Sequence, residues 1–209
     1  MNRIYTVGHS TQSIEEFIHL LKKHYINCLI DVRSVPYSKY ATQFDKEELK
    51  RQLSIEGIYY IHMGEELGAR RDEKDVYLQG MVDFEKVSGC KSFLSGINRV
   101  IDGINKNFTI AIMCTEKDPI ECHRSILVSR ALHNRNFEVL HILSNGEVQS
   151  HSKLEDRLLE QYFPNRNQGS IFDLIEGKKT EEELLRESYK LQNEKIGYRV
   201  ELQKEGNEE

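Results

Sequence analysis

The sequence predicts an α/β protein: a three-layer, Rossmann-like parallel sheet of about five strands with helices on both faces. Short apolar, β-favouring runs alternate with segments whose apolar residues recur at i, i+3, i+4 and i+7. The strands are apolar on both faces, as a sheet covered by helices on each side requires. That strand–helix alternation makes consecutive strands parallel, joined by right-handed crossovers.

Ile4 to Val7 forms the first strand, closed by Gly8. Ser13 and Glu16 make a capping box ahead of Ile14, Phe17, Ile18 and Leu21, one face of a helix. Cys28 to Val32 is the second strand, apolar except for Asp31. Asp45 and Glu48 read as another capping box, opening a helix that stops near Gly57. Tyr59 to His62 is the third strand. The charged, glycine-rich stretch from Met63 to Gly89 has weak periodicity and reads as a long functional loop. Phe93, Ile97, Val100, Ile101 and Ile104 repeat with helical spacing, Thr109 to Met113 is a buried strand, residues 123 to 134 a helix and Val139 to Leu143 the fifth strand. Residues 1–165 therefore form one α/β domain. Residues 166–209 form a partly helical C-terminal extension, helix-prone over Lys178 to Lys195, with a frayed tail.

With 209 residues, 38% hydrophobic and 30% charged, the chain can bury one full core. No apolar run approaches the roughly 20 residues that cross a bilayer, and the N-terminus lacks the apolar stretch of a signal peptide, so a cytoplasmic protein without a membrane partner is expected. A net charge of −5 argues against a continuous basic nucleic-acid surface and leaves room for a local basic patch. Cys28, Cys90, Cys114 and Cys122 are too few, and in the wrong compartment, for a disulfide scaffold.

Ligands of open parallel sheets bind at the carboxyl ends of the strands, where loops meet helix N-termini. Those ends carry His9 and Ser10, then Asp31, Arg33 and Ser34, then His62 followed by Arg70 and Arg71, then Cys114, Glu116, Cys122, His123 and Arg124; the fifth strand is followed only by Ser144 and Asn145. Catalytic candidates are His9, Asp31, Cys114, Glu116 and Cys122. Substrate-binding candidates are Ser10, Arg33, Ser34, His62, Arg70, Arg71, His123 and Arg124. One shared cleft should hold them.

Each also has a structural reading. His9 can cap a turn, Asp31 and Arg33 can pair with each other, and Arg70 and Arg71 can lie on a solvated surface. The run from Cys114 to Arg124 is harder to explain structurally. Cys122, at the start of a helix, is placed for a lowered thiol pKa, and the same backbone with Arg124 suits an anion. The glycines of a phosphate-cradling loop are missing. Cys114, Cys122 and His123 with His9 or His62 suit a metal chemically, yet the seven residues between the cysteines are not the short C-x-x-C of structural zinc sites, and no metal ligand is assigned.

At these residues the sequence resembles the domain-of-unknown-function 488 family. The resemblance is carried by Tyr5-Thr6-Val7-Gly8-His9-Ser10-Thr11, Asp31-Val32-Arg33-Ser34-Val35-Pro36, Gln43-Phe44, Leu67-Gly68 with Arg70-Arg71, and most specifically Met113-Cys114-Thr115-Glu116, Pro119 and Cys122-His123-Arg124-Ser125. It departs at Ala69, where glycine is more usual, and at Lys39, where arginine is. The resemblance implies a compact α/β protein with a strand-edge cleft and brings no activity with it. From the residues, an enzyme acting on a phosphate-bearing substrate such as a nucleotide or nucleic acid comes first. A cysteine-dependent redox or sulfur-transfer protein, with Cys122 attacking and Cys114 resolving, comes second, and a non-catalytic ligand-binding module third. No cofactor motif and no oligomeric state are legible.

Overall fold

A computed structural model describes residues 2–166 and 179–200. Strands β1 (Arg3–Gly8), β2 (Cys28–Asp31), β3 (Tyr59–His62), β6 (Ile110–Cys114), β7 (Glu138–Ile142) and β8 (Val148–Ser150) form one sheet in the order β3-β2-β6-β1-β7-β8. All pairings are parallel except β7–β8. A separate hairpin joins β4 (Tyr77–Leu78) to β5 (Met81–Val82).

Helices α1 (Ile14–Lys23) and α2 (Lys46–Ile55) cover one face, packing Phe17, Leu21, Leu49 and Leu53 on Val7, Leu29, Ala111 and Met113. The opposite face receives α5 (Lys91–Asn105), the helix that runs as a π-helical turn at Arg124–Ser129 into α6 (Arg130–His133), and α7 (His151–Tyr162). There Phe93, Ile97, Leu127 and Leu154 pack on Ile4, Ile30, Ile110 and Ile112. Successive strand residues feed opposite cores, which is the period-two alternation of a sheet buried on both sides.

The doubly covered parallel sheet matches the sequence expectation, with three differences in detail. The sixth strand, β8, was not anticipated; it is short and antiparallel, turning back through Asn145 and Gly146, whose φ of +76° is the left-handed conformation a tight hairpin turn asks for. Asp45 precedes α2, but its carboxylate accepts the Ser38 N–H at 2.8 Å instead of capping the helix. The stretch read as a long loop folds into α3 (Gly64–Leu67), the β4–β5 hairpin and α4 (Phe84–Ser88).

Helix α8 (Glu181–Ile196) is close to the predicted Lys178 to Lys195 and packs on α7 through buried Tyr189; the tail after Val200 lies outside the described residues. A buried polar chain runs from β1 through β7 to these two helices. The Thr6 hydroxyl donates to His141 Nδ1 (2.8 Å), His141 Nε2–H to His151 Nδ1 (3.0 Å), His151 Nε2–H to the Tyr189 oxygen (2.9 Å), and that hydroxyl to Glu155 (3.0 Å). This single direction satisfies every group and keeps both imidazoles neutral. No helix among the described residues is long and apolar enough to cross a membrane.

Candidate functional site

The candidate residues gather at the carboxyl ends of β1, β2, β3 and β6, but strand register sorts them onto two faces. Asp31 is level with Met113 on one side and His62 on the other, whereas Gly8 is level with Cys114. Residues in register share a face, so Asp31 stands on the α1–α2 side and Cys114 on the α5–α6 side. The single shared cleft expected from the sequence is two adjoining clusters.

On the α1–α2 side the polar groups close on one another. Arg33 forks onto Asp31, with Nη2 2.6 Å from Oδ2 and Nε 2.9 Å from Oδ1. Its Nη2 also donates to the Phe44 carbonyl (2.8 Å) and its Nη1 to His9 Nε2 (3.2 Å). The Tyr60 hydroxyl donates to Asp31 Oδ2 at 2.7 Å. His9 lies fully buried on the Phe44 ring, centroids 4.3 Å apart, and donates through Nδ1–H to the Ser10 carbonyl (2.8 Å). Burial first, and then the Arg33 charge, lower its pKa to about 4, so the ring is neutral.

The neighbouring loop is likewise engaged. His62 Nε2 meets the Arg33 carbonyl (2.9 Å), and Ser34 Oγ accepts the Arg70 backbone N–H (2.9 Å). Arg70 lays its guanidinium over Tyr198, 4.7 Å from the ring centroid. Buried Arg71 is held by Glu73, Ser92 and the carbonyls of Glu65 and Glu66, so its fork is fully used. The Ser10 N–H continues the β1–β6 pairing by donating to the Thr115 carbonyl (2.9 Å).

On the α5–α6 side lie Cys114, Cys122, His123 and Arg124, all buried, at a turn whose Thr115, Glu116 and Lys117 are exposed. Cys114 ends β6. Pro119 opens a short 3-10 turn that returns the chain, and Cys122 begins the next helix, its carbonyl accepting the Ser125 and Ile126 N–H groups. The helix widens into a π-helical turn at Arg124, with the Ser129 hydroxyl donating to the Arg124 carbonyl (2.7 Å). Such turns recur at functional sites.

His123 Nε2–H donates to the Val32 carbonyl (3.1 Å), which leaves the lone pair of the neutral ring on Nδ1. That Nδ1 faces both sulfurs, at 3.7 Å from Cys114 Sγ and 4.0 Å from Cys122 Sγ. All three atoms lie within 4.8 Å of one another. The Cys122 thiol donates to Glu116 Oε2 at 2.8 Å. No cysteine is in a disulfide.

The two thiols are electrostatically unlike. Its hydrogen bond to Cys122, and then burial, push the Cys114 thiol well above its ordinary range. Burial opposes ionisation of Cys122 as well, but the Cys114 hydrogen bond, the Arg124 charge and His123 together bring it well below. Burial works against the His123 cation, yet Cys122, Glu116 and the Val32 carbonyl raise its pKa. The Glu116 carboxyl is raised by desolvation at its Cys122-facing end, although the residue as a whole is exposed.

Among the described residues, Arg124 is the largest fully buried side chain. Its Nη1 donates to the Glu116 carbonyl (2.7 Å), its Nε has no partner, and no carboxylate pairs with it among the described residues. A Cβ on Gly8 would stand 1.9 Å from the Glu116 carbonyl oxygen and 3.2 Å from Arg124 Nη2, so only glycine lets β1 approach this turn.

Sequence reasoning missed Tyr60 and Phe44, which complete the Asp31 network, and Val32, whose carbonyl orients His123. Tyr60 alternates with Tyr59 along β3 and was detectable by period. The Phe44 and Val32 contacts to Arg33 and His123 are made by backbone carbonyls, which carry no sequence signal; the Phe44 ring on His9 is a contact between elements distant in sequence. A cavity of about 630 Å³ opens beside this turn, where Lys117, Asp118 and Arg157 face Ser144 and Asn145.

The family model described as "Domain of unknown function DUF488" matches residues 13–131, more than half of the chain. No curated protein and no solved structure matches the chain.

Proposed function

The chain belongs to the domain of unknown function DUF488 family, and from that premise we propose that it works through the sulfur pair in the turn after β6, as a cysteine-dependent protein of the redox or sulfur-transfer class. The observation that carries this reading is the convergence of Cys114 Sγ, Cys122 Sγ and His123 Nδ1 within 4.8 Å, at a strand end bordered by exposed residues. Cys122 is the attacking sulfur, with Glu116 placed to accept its proton. It attacks one sulfur of a substrate disulfide and the other leaves as a thiol. Cys114 then displaces the bound half and closes a Cys114–Cys122 disulfide. Two electrons and two protons pass from the pair to the substrate.

A phosphate-bearing substrate has less support. Arg33 and Arg71 have their donors committed inside the protein, and Arg70 lies on Tyr198. What favours an anion is Lys117, Lys153 and Arg157 around the cavity, the last shared with Asp118 at 2.7 Å. The bulk of a substrate would sit there.

The test is limited oxidation of the folded, chelator-treated chain with diamide, followed by digestion and mass spectrometry. The reading predicts that Cys114–Cys122 is the first bridge to form and that dithiothreitol reverses it. Bridging of another pair first, or four free thiols after prolonged treatment, would overturn it.

A further inference from the structure

We propose that Cys114 Sγ, Cys122 Sγ and His123 Nδ1 form a binding site for one zinc ion, with the fourth position on the solvent side beside Glu116. The proposal rests on the reading of these residues as the functional centre and names a ligand for it.

Three observations support it. The first is distance. Tetrahedral zinc with Zn–S near 2.3 Å and Zn–N near 2.0 Å sets its ligand atoms about 3.5–3.8 Å apart. Here the nitrogen stands 3.7 and 4.0 Å from the two sulfurs, so small side-chain movements suffice. His9 and His62 do not join this group: both nitrogens of His9 are used by Arg33 and Ser10, and His62, level with Asp31, stands on the other face.

The second is the orientation of the imidazole. Metal-bound histidines usually donate their other N–H to a carbonyl or carboxylate, which fixes tautomer and ring plane. His123 already does so through Nε2–H to the Val32 carbonyl at 3.1 Å, which aims the Nδ1 lone pair between the thiols. A purely structural histidine would need no second nitrogen facing two sulfurs.

The third is charge. Arg124 is fully buried with an unpartnered Nε and no carboxylate of its own among the described residues. A buried guanidinium needs nearby negative charge. Zinc with two thiolates is neutral, and the Glu116 carboxylate beside it adds one negative charge, which Arg124 balances. Loading exchanges the two thiol protons for the cation: Zn²⁺ plus two S–H groups gives the zinc dithiolate and two protons in solution. Two thiolates with one imidazole select zinc over harder cations such as magnesium or calcium. Three protein ligands with a fourth position near a carboxylate is the open type of zinc site, not the closed structural type.

The experiment uses the full chain, made without an affinity tag in zinc-supplemented medium and dialysed against zinc-free buffer. Elemental analysis should find one zinc per chain in the wild type and in Cys28→Ser, and none in Cys122→Ser of unchanged far-ultraviolet circular dichroism. Cobalt(II) in place of zinc should give thiolate-to-metal charge-transfer absorption and the intense visible bands of a tetrahedral ion, both lost in Cys122→Ser. His123→Ala should keep the charge-transfer band and weaken binding, so the inference does not hang on a single variant. Zinc content unchanged by Cys122→Ser overturns the inference. So does a chain that takes up neither metal while diamide still bridges Cys114 to Cys122, and in that case the thiol reading stands without a metal. Absence of both metal and bridge removes both readings.

Discussion

The two faces of one sheet edge treat buried polar residues in opposite ways. On the α1–α2 side, Asp31, Arg33, His9 and Tyr60 use their hydrogen-bonding capacity on one another and on the Phe44 and Ser10 carbonyls. On the α5–α6 side, two thiols face one imidazole nitrogen, an arginine nitrogen has no partner among the described residues, and the turn that carries them is exposed. A closed network has no valence left for a ligand and holds the fold. An open one costs stability and has capacity to spare for a ligand. Residue type did not distinguish the two sides; the state of each donor and acceptor did.

The largest effect that could break this comparison is on the closed side. Arg33→Ala leaves the Asp31 carboxylate buried without its cation, and stability should fall by about 3–5 kcal/mol. Urea denaturation measures the loss, and the Cys114–Cys122 bridge should still form first under diamide in the folded fraction. An Arg33→Ala chain as stable as the wild type would show that Arg33 is free for a ligand and that the network is not closed.

Gly8→Ala tests how tightly β1 packs against the turn of the open side. The new methyl would fall 1.9 Å from the Glu116 carbonyl oxygen, a backbone atom that cannot step aside cheaply. A loss of about 3 kcal/mol, the upper end of overpacking costs, is expected by thermal or urea unfolding. The displaced turn should also bridge its thiols more slowly.

The third test uses pH and the histidine chain beneath α8. Burial, and then the His133 and Arg130 charges, lower the His151 pKa from 6.5 to about 3, and His9 on the closed side is lowered to about 4. Both groups bind fewer protons folded than unfolded. Their contribution to stability is therefore complete above pH 6.5 and is lost as pH falls toward 4 and 3. His151 alone should cost about 2 kcal/mol between pH 7 and pH 5. Urea midpoints across that range check it, and His151→Gln should flatten the dependence.

The smallest effect on stability should come from Cys122→Ser, about 1 kcal/mol by urea unfolding. The same change should abolish diamide bridging, so stability and reactivity separate at this residue while at Arg33 only stability moves.

Much of this arrangement was legible in the sequence. Both-face apolar strands and 3.6-residue spacing predicted the covered parallel sheet, and reading the strand ends collected His9, Asp31, Arg33, Cys114 and Cys122. What was not legible was register. Asp31 pairs with Met113 and not with Cys114, and that offset of one residue sends them to opposite faces. Nor could sequence show that Arg33 would be consumed by Asp31 and the Phe44 carbonyl while Arg124 kept an unpartnered nitrogen, because backbone carbonyls have no residue signature. The strand β8 did have a signal, Asn145-Gly146, the common dipeptide of tight hairpins. The pairing of His141 with His151 has no sequence signal, because they lie ten residues apart on different elements that meet only in the folded chain.

The most direct test of the central claim, that the turn after β6 presents two sulfurs as one unit, is titration of the folded chain, freed of bound metal by a chelator, with phenylarsine oxide. The arsenical condenses with two thiols at once, releasing water, and a lone cysteine holds it poorly. The account predicts one arsenical per chain in the wild type, in Cys28→Ser and in Cys90→Ser, and none in Cys114→Ser or Cys122→Ser. Uptake that persists in both of the last two variants, or that never occurs in the wild type, would contradict it.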